Sequence, residues 1–132
     1  MRWEIPDGYE GWVRAYYDDP AAPSLNVDGI TVVWRVDSNG CGYTSSGPLD
    51  GLRNQSYVYV GADGQRVEVP QTMIQSATSG AIGTVSQLDA SGSVIRAGKN
   101  FHMDQFFVGT QDSFRNNTDH QANIEQRCPM PS

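Results

Sequence analysis

The chain has 132 residues with nine basic and fifteen acidic side chains, giving a formal net charge of −6 at pH 7. This length fits a single domain and leaves no room for separate catalytic and regulatory domains. The negative charge repels phosphate, which argues against a nucleic acid partner, and no apolar run approaches the roughly 20 residues that span a bilayer.

The first half of the chain predicts strands that are separated by turns. Residues 9–17 mix aromatic, valine and small side chains and are followed by Asp18-Asp19-Pro20, which indicates a strand and then a turn. The clearest strand covers residues 30–36, where apolar and polar side chains alternate. The alternation predicts one buried face, made of Ile30, Val32, Trp34 and Val36.

A β-hairpin follows near the middle of the chain. Residues 56–60 and 65–69 flank the turn sequence Gly61-Ala62-Asp63-Gly64, and the register places Val67 and Val69 on one face. Weaker strand candidates are residues 72–76, 81–88 and 93–97, and residues 101–108 form a strong one.

Helix is scarce and confined to the C-terminal part. Thr110 is a capping residue before a short helical turn through residue 115, and residues 118–121 have capping-box spacing before a second helix at 122–126. Seven or eight short strands with frequent turns predict an all-β fold. We expect one antiparallel β-sandwich over residues 1–132 with one or two short C-terminal helical turns, and residues 119–132 as a terminal tail.

The two cysteines lie far apart in the sequence. Cys41 falls in a turn-like segment, and Cys128 lies four residues before the C-terminus. We predict that they form a disulfide, which would hold a segment that otherwise frays and is typical of exported proteins. The alternative, Cys41 as a nucleophile, requires a base and an electropositive setting, which an acidic chain with two histidines does not favour.

The candidates for catalysis are few. His102 and Asp104 are two residues apart on a predicted strand and share a face, so they could form a general base or half of a metal site. Two groups do not complete either kind of site, and the serines and glycines match no nucleophile elbow or phosphate loop. The sequence therefore predicts a protein that is not an enzyme and has no metal or cofactor. A small hydrolase-like enzyme using His102 and Asp104 stays as the alternative.

Aromatic residues crowd the first seventeen positions: Trp3, Tyr9, Trp12, Tyr16 and Tyr17. We expect Trp12 and Trp34 in the core. Tyr16 and Tyr17 are adjacent on a strand and point to opposite faces, so only one of them can join a given buried layer. We therefore expect one of these two rings to face solvent and to be available as an anchor for a partner.

Two motifs carry a resemblance to a known family. Residues 5–13, Ile-Pro-Asp-Gly-Tyr-Glu-Gly-Trp-Val, and residues 106–110, Phe-Phe-Val-Gly-Thr, resemble a family of small uncharacterised bacterial exported proteins and lipoproteins. The resemblance implies a β-rich domain that is periplasmic or secreted, and it implies no activity. The chain as given opens without an export segment or a lipid-bearing cysteine, so lipid anchoring of a full-length precursor stays open.

The leading functional hypothesis is binding to another protein. The acidic charge favours a basic partner, and the expected surface combines the strand at residues 9–17 with its flanking carboxylates. Its predicted members are Glu10, Tyr16, Tyr17, Asp18 and Asp19. An immunity or inhibitor protein is one version by analogy, and a sugar- or solute-binding sandwich is a further alternative.

Overall fold

The computed structural model describes residues 1–48, 54–83, 86–116 and 121–131. Within these ranges it contains eleven strands, two helices and one 3-10 turn at Gln71–Met73. The helices are α1, Gln111–Asn116, and α2, Gln121–Arg127. The strands are β1 Arg2–Pro6, β2 Gly11–Tyr16, β3 Asn26–Asp28, β4 Thr31–Arg35, β5 Cys41–Tyr43, β6 Ser56–Val60, β7 Arg66–Glu68, β8 Ile74–Gly83, β9 Gln87–Leu88, β10 Val94–Arg96 and β11 Asn100–Val108.

Nine of these strands form two packed sheets, which confirms the all-β, single-domain prediction. The first sheet has the order β3-β4-β1-β6-β7, and the second has the order β5-β2-β11-β8. The sheets are mixed rather than purely antiparallel, because β1 runs parallel to β4 and β6, and β2 runs parallel to β5. Parallel neighbours arise here because the chain leaves one sheet for the other between strands, so adjacent strands are not joined by hairpins.

The main core lies between the two sheets and is built around aromatic rings. Trp3 of β1 stacks on Trp34 of β4 with 5.3 Å between ring centroids, and Phe106 of β11 meets Trp3 edge-on at 5.0 Å. The expected burial of Trp34, Val36 and Trp12 is confirmed. Ile30, also expected inside, is fully exposed because it lies in the turn before β4 begins.

A second core covers the opposite face of the second sheet. Tyr16, Trp12 and Phe107 pack there beneath α2, which contributes Ile124. Tyr17 points the other way and lies in the core between the sheets. The two tyrosines thus face opposite sides as predicted, but the expectation that one of them is exposed is wrong. α2 therefore covers the outer face of the second sheet.

The disulfide prediction is confirmed. Cys41 and Cys128 are bonded, with their Cα atoms 5.4 Å apart. The C-terminal segment is also held by the Tyr16 hydroxyl, which donates to the Cys128 carbonyl at 2.9 Å, and by the Tyr43 hydroxyl, which donates to the Pro129 carbonyl at 2.7 Å. The segment that we expected to be a terminal tail therefore includes a helix that is packed and covalently fixed.

The other local predictions have mixed outcomes. The β6–β7 hairpin is present, and Val69 is buried while Val67 on the same face is exposed. Thr110 Oγ1 accepts the Ser113 N–H at 3.1 Å, as predicted for the start of α1. The capping box at 118–121 extends outside the described residues. The strands expected at 72–76 and 81–88 are replaced by one long strand, β8, and a separate short one, β9.

Candidate functional site

His102 forms a hydrogen bond with Asp18 on the surface. The pairing of Met103 with Tyr16 places the residues after β2 beside His102, whose carbonyl accepts the Tyr17 N–H at 2.9 Å. Asp18 adopts a left-handed backbone conformation with φ 65°, and its Oδ2 lies 2.7 Å from His102 Nδ1. The hydrogen bond with His102 lowers the pKa of Asp18 below its usual value. Asp18 thus fixes one nitrogen of an exposed imidazole.

Asp104 belongs to a different and more buried network. The Trp34 Nε1–H donates to the Tyr17 hydroxyl at 3.1 Å, and that hydroxyl donates to Asp104 Oδ2 at 2.6 Å. The Ser79 hydroxyl donates to the other oxygen of Asp104. Burial, and then the neighbouring Asp104 carboxylate, raise the pKa of Tyr17, so its hydroxyl keeps its proton.

The His102 and Asp104 side chains therefore do not act as one pair. They lie two residues apart on β11, as expected, but His102 is bonded to Asp18 and Asp104 to Tyr17 and Ser79. The Ser79 hydroxyl donates to a carboxylate and not to the imidazole, so these groups do not form a nucleophile–base–carboxylate chain. Among the described residues, no three His, Cys, Asp or Glu side chains are grouped to hold a metal ion.

The expected binding residues are not brought together. Glu10 precedes β2, whereas Asp18 and Asp19 follow it, and the six residues of β2 separate the two ends by about 20 Å. Glu10 accepts a hydrogen bond from the hydroxyl of Ser113, a residue of α1. Asp19 accepts the Ala21 N–H at 3.0 Å in a turn. With Tyr16 and Tyr17 both buried, these five residues do not form a single surface.

Exposed apolar side chains are instead concentrated on the β9–β10 hairpin. Leu88, Val94 and Ile95 are 56%, 61% and 70% exposed, and they are half of the six large hydrophobic residues exposed in the described part of the chain. Leu88 and Val94 are directly paired across the hairpin. Residues 93–97 give only a weak strand signal in the sequence, because strands of two and three residues are too short for a reliable alternation pattern.

The turn of this hairpin is fixed by one carboxylate. Asp89 accepts hydrogen bonds from the N–H groups of Ser91 at 2.9 Å and Ser93 at 3.0 Å, and from the Ser91 hydroxyl at 2.7 Å. These bonds lower the pKa of Asp89 and keep it charged. Gly92 adopts φ 85°, a left-handed conformation that suits glycine. The apolar side chains are therefore presented by an ordered turn.

A charge cluster around one buried carboxylate lies on the outer face of the first sheet. Glu4 is 5% exposed and contacts three guanidinium groups: Arg35 at 2.9 Å, Arg2 at 3.0 Å and Arg66 at 3.2 Å. Burial alone would raise the pKa of Glu4, but hydrogen bonds from Arg35 and Arg2 and the charge of Arg66 outweigh it and lower the pKa. No local pattern in the sequence predicts this cluster, because the three arginines lie on three different strands.

Comparison with known proteins places the chain in a family. Residues 2–118 match the model of a "Family of unknown function (DUF6843)". A 2.75 Å crystal structure of a "Putative Lipoprotein from Bacillus anthracis" has the same fold, with a TM-score of 0.69 and 23% identity over 96% of this chain and 87% of that one. No curated protein matches. No helix in the described ranges is long and apolar enough to cross a membrane. Because the family match covers most of its length, the chain belongs to the DUF6843 family.

Proposed function

We propose that this chain is a non-catalytic exported bacterial protein that binds another protein through the β9–β10 hairpin. The observation that carries the proposal is the exposure of Leu88, Val94 and Ile95 on one ordered hairpin. Exposed apolar side chains that are grouped on one element, rather than scattered singly over the surface, are typical of interaction sites. Burial of each such side chain against a partner would contribute about 1.5–3 kcal/mol.

The order of the hairpin turn strengthens this proposal. A mobile loop would lose conformational entropy on binding, at about 0.5–1.5 kcal/mol for each side chain that is immobilised. The hydrogen bonds from Ser91 and Ser93 to Asp89 fix the backbone of the turn before any partner arrives. The entropy cost of ordering the turn backbone is therefore met during folding of the chain itself, and only the side chains remain to be ordered on binding.

Charge favours a basic partner. The net charge of −6 would attract a positively charged protein at long range and speed its association. Glu10, Asp18 and Asp19, at the two ends of β2, would contribute to this long-range field rather than to one contact surface. An immunity or inhibitor protein that binds a toxin or hydrolase is a specific version of this function, by analogy.

Export is supported by two findings. The Cys41–Cys128 disulfide is typical of proteins in oxidising compartments such as the periplasm. The similar fold described as a lipoprotein suggests a related location. We therefore propose a periplasmic or secreted protein, with a lipid anchor in the precursor as one form.

A site-specific photo-crosslinker tests the proposed surface. Ile95→p-benzoylphenylalanine would be incubated with the envelope fraction of the organism of origin. Ile30→p-benzoylphenylalanine is the control, at a still more exposed position in the turn before β4. We expect a protein adduct from position 95 alone, lost when Leu88→Asp is added. Equal adducts from both positions, or none from position 95, would contradict the proposal.

One observation favours a hydrolase-like enzyme as the alternative. Asp18 holds Nδ1 of His102, and the side chain of His102 is 56% exposed, which suits a general base. Turnover of small ester or amide substrates by the purified chain, abolished in His102→Ala and reduced in Asp18→Asn, would favour this function. If Asp104→Asn had the same effect without loss of stability, the buried network would also take part.

A further inference from the structure

The four edges of the two sheets differ greatly in length. β3, β5 and β7 form three of the edges, and each has three residues. The fourth edge, β8, has ten residues and no charged or proline side chain. Proteins protect edge strands by keeping them short or charged, because an open edge can pair with another strand. Among the described segments, only β11 pairs with β8.

The backbone pattern shows which groups of β8 point away from the sheet. The Tyr17 N–H donates to the His102 carbonyl, so the backbone N–H and C=O groups of His102 point toward β2. Those of its neighbour Met103 therefore point toward β8. Met103 pairs with Gly80. Hydrogen-bonding direction alternates along a strand, so the residues on either side of Gly80 direct their N–H and C=O groups outward. These outward residues are Ala77, Ser79, Ala81 and Gly83.

We propose that a second copy of this chain pairs with β8 in antiparallel orientation, with the two-fold axis at Gly80. In this register Ser79 lies opposite the partner's Ala81, and Ala77 lies opposite the partner's Gly83. All four outward residues of each copy are then hydrogen-bonded. The two four-stranded sheets become one continuous eight-stranded sheet, and the contact leaves the β9–β10 hairpin out of the pairing.

Two features of the edge suit pairing with a second copy. Ser76 has φ 53°, and the register shifts between Gln105 and Phe107, so a bulge ends the regular part of β8 at this point. The regular part therefore runs over residues 77–83, and Gly80 is its middle residue. With the two-fold axis at Gly80, the whole regular part of one copy pairs with the whole regular part of the other, as in an isologous contact. Because the edge carries no charge, like charges do not meet there despite the net charge of each copy.

A cysteine at the axis tests the register. A Cβ at Gly80 would meet no atom within 4 Å. Facing Cα atoms at a non-hydrogen-bonded antiparallel pair are about 4.5 Å apart, which a disulfide can span. Gly80→Cys should therefore give a disulfide-linked dimer under mild oxidation that leaves the native disulfide intact. In the matched control Thr78→Cys, the new side chain lies on the same face of the sheet. The Cα atoms of position 78 in the two paired chains would, however, be about 13 Å apart.

We expect Gly80→Cys to cross-link at least tenfold faster than Thr78→Cys. Equal rates, or no cross-linking by Gly80→Cys, would overturn the proposed register. Sedimentation then tests the pairing without cysteines: the mass of the wild type should rise from 14.5 kDa toward twice that value as concentration approaches about 1 mM.

A proline variant tests whether the outward backbone groups carry the contact. Ala81→Pro removes one outward N–H and none that faces β11, a change that edge strands tolerate. Its control, Ala62→Pro, lies at the second position of the 61–64 turn, where proline fits. Dimerisation should weaken at least tenfold in Ala81→Pro and stay unchanged in Ala62→Pro, with both melting close to the wild type. Monomeric wild type at the highest concentration, or an Ala81→Pro variant that still dimerises like the wild type, would refute the proposal.

Discussion

At the scale of single residues, Trp34 joins the core to the polar network. Its ring stacks on Trp3, and its Nε1–H donates to the Tyr17 hydroxyl, which in turn donates to Asp104. A residue with both roles is sensitive to truncation, because its loss leaves a cavity and an unfilled hydrogen-bonding position.

We predict that Trp34→Ala lowers the free energy of unfolding by about 3–5 kcal/mol. The measurement is urea denaturation followed by circular dichroism. Ile30→Ala is the control, and it should change stability by less than about 0.5 kcal/mol because Ile30 is fully exposed. Equal effects of the two substitutions would show that the core assignment is wrong.

Glu4 gives a prediction that depends on pH. Its pKa is lowered in the folded chain, so its charged form stabilises the fold above the unfolded value of 4.5, and this contribution is lost as pH falls through the lowered folded pKa. Glu4→Gln should lower the free energy of unfolding by about 1–2 kcal/mol at pH 7. This is at the low end for hydrogen bonds to a charged group, because Arg35 and Arg66 are partly exposed and their charges are screened by solvent.

Urea unfolding at a series of pH values checks this prediction. The stability difference between wild type and Glu4→Gln should be constant between pH 6 and 7 and should shrink below pH 4.5. A difference that stays the same down to pH 3 would mean that the arginine contacts contribute nothing through the charge of Glu4.

At the scale of elements, the sequence was informative where the determinants are local. The β6–β7 hairpin depends on its four-residue turn, and α1 depends on Thr110, so both could be predicted. β1 was missed although it is the central strand of its sheet. It has five residues and ends at Pro6, and its two partners in the described part of the chain, β4 and β6, lie far away in the sequence.

The same reasoning explains the candidate site. His102 was recognised, but its partner Asp18 is 84 residues away, and no local pattern connects them. One of Tyr16 and Tyr17 was expected at the surface, because the covering of the second sheet by α2 depends on the disulfide and on tertiary packing. Contacts made by distant segments were therefore the part that a single sequence could not specify.

The disulfide leads to a prediction about α2. Replacing both cysteines with serine should lower the free energy of unfolding by up to about 4–5 kcal/mol, because the bond closes a separation of 87 residues. Thermal melting measures the loss, and hydrogen exchange should show that protection of α2 decreases more than protection of β1. Unchanged exchange in α2 would mean that noncovalent contacts alone hold the helix in place.

At the scale of the whole molecule, binding surfaces and folding determinants are separate. The cores lie between the sheets and beneath α2, whereas Leu88, Val94 and Ile95 pack in neither core. Substituting these exposed side chains should therefore leave stability within about 0.5 kcal/mol of the wild type. Any effect on partner binding can then be attributed to the surface itself.

The affinity of the captured partner for matched variants tests whether the β9–β10 hairpin is the binding surface. The Leu88→Asp, Val94→Asp double variant should weaken binding at least a hundredfold by surface plasmon resonance, since buried anchors contribute about 2 kcal/mol or more each. Ile30→Asp, an equally drastic change in the exposed turn before β4, should bind like the wild type. If the double variant bound as tightly as the wild type, or if Ile30→Asp lost binding to the same extent, the assignment of the β9–β10 hairpin as the binding surface would be contradicted.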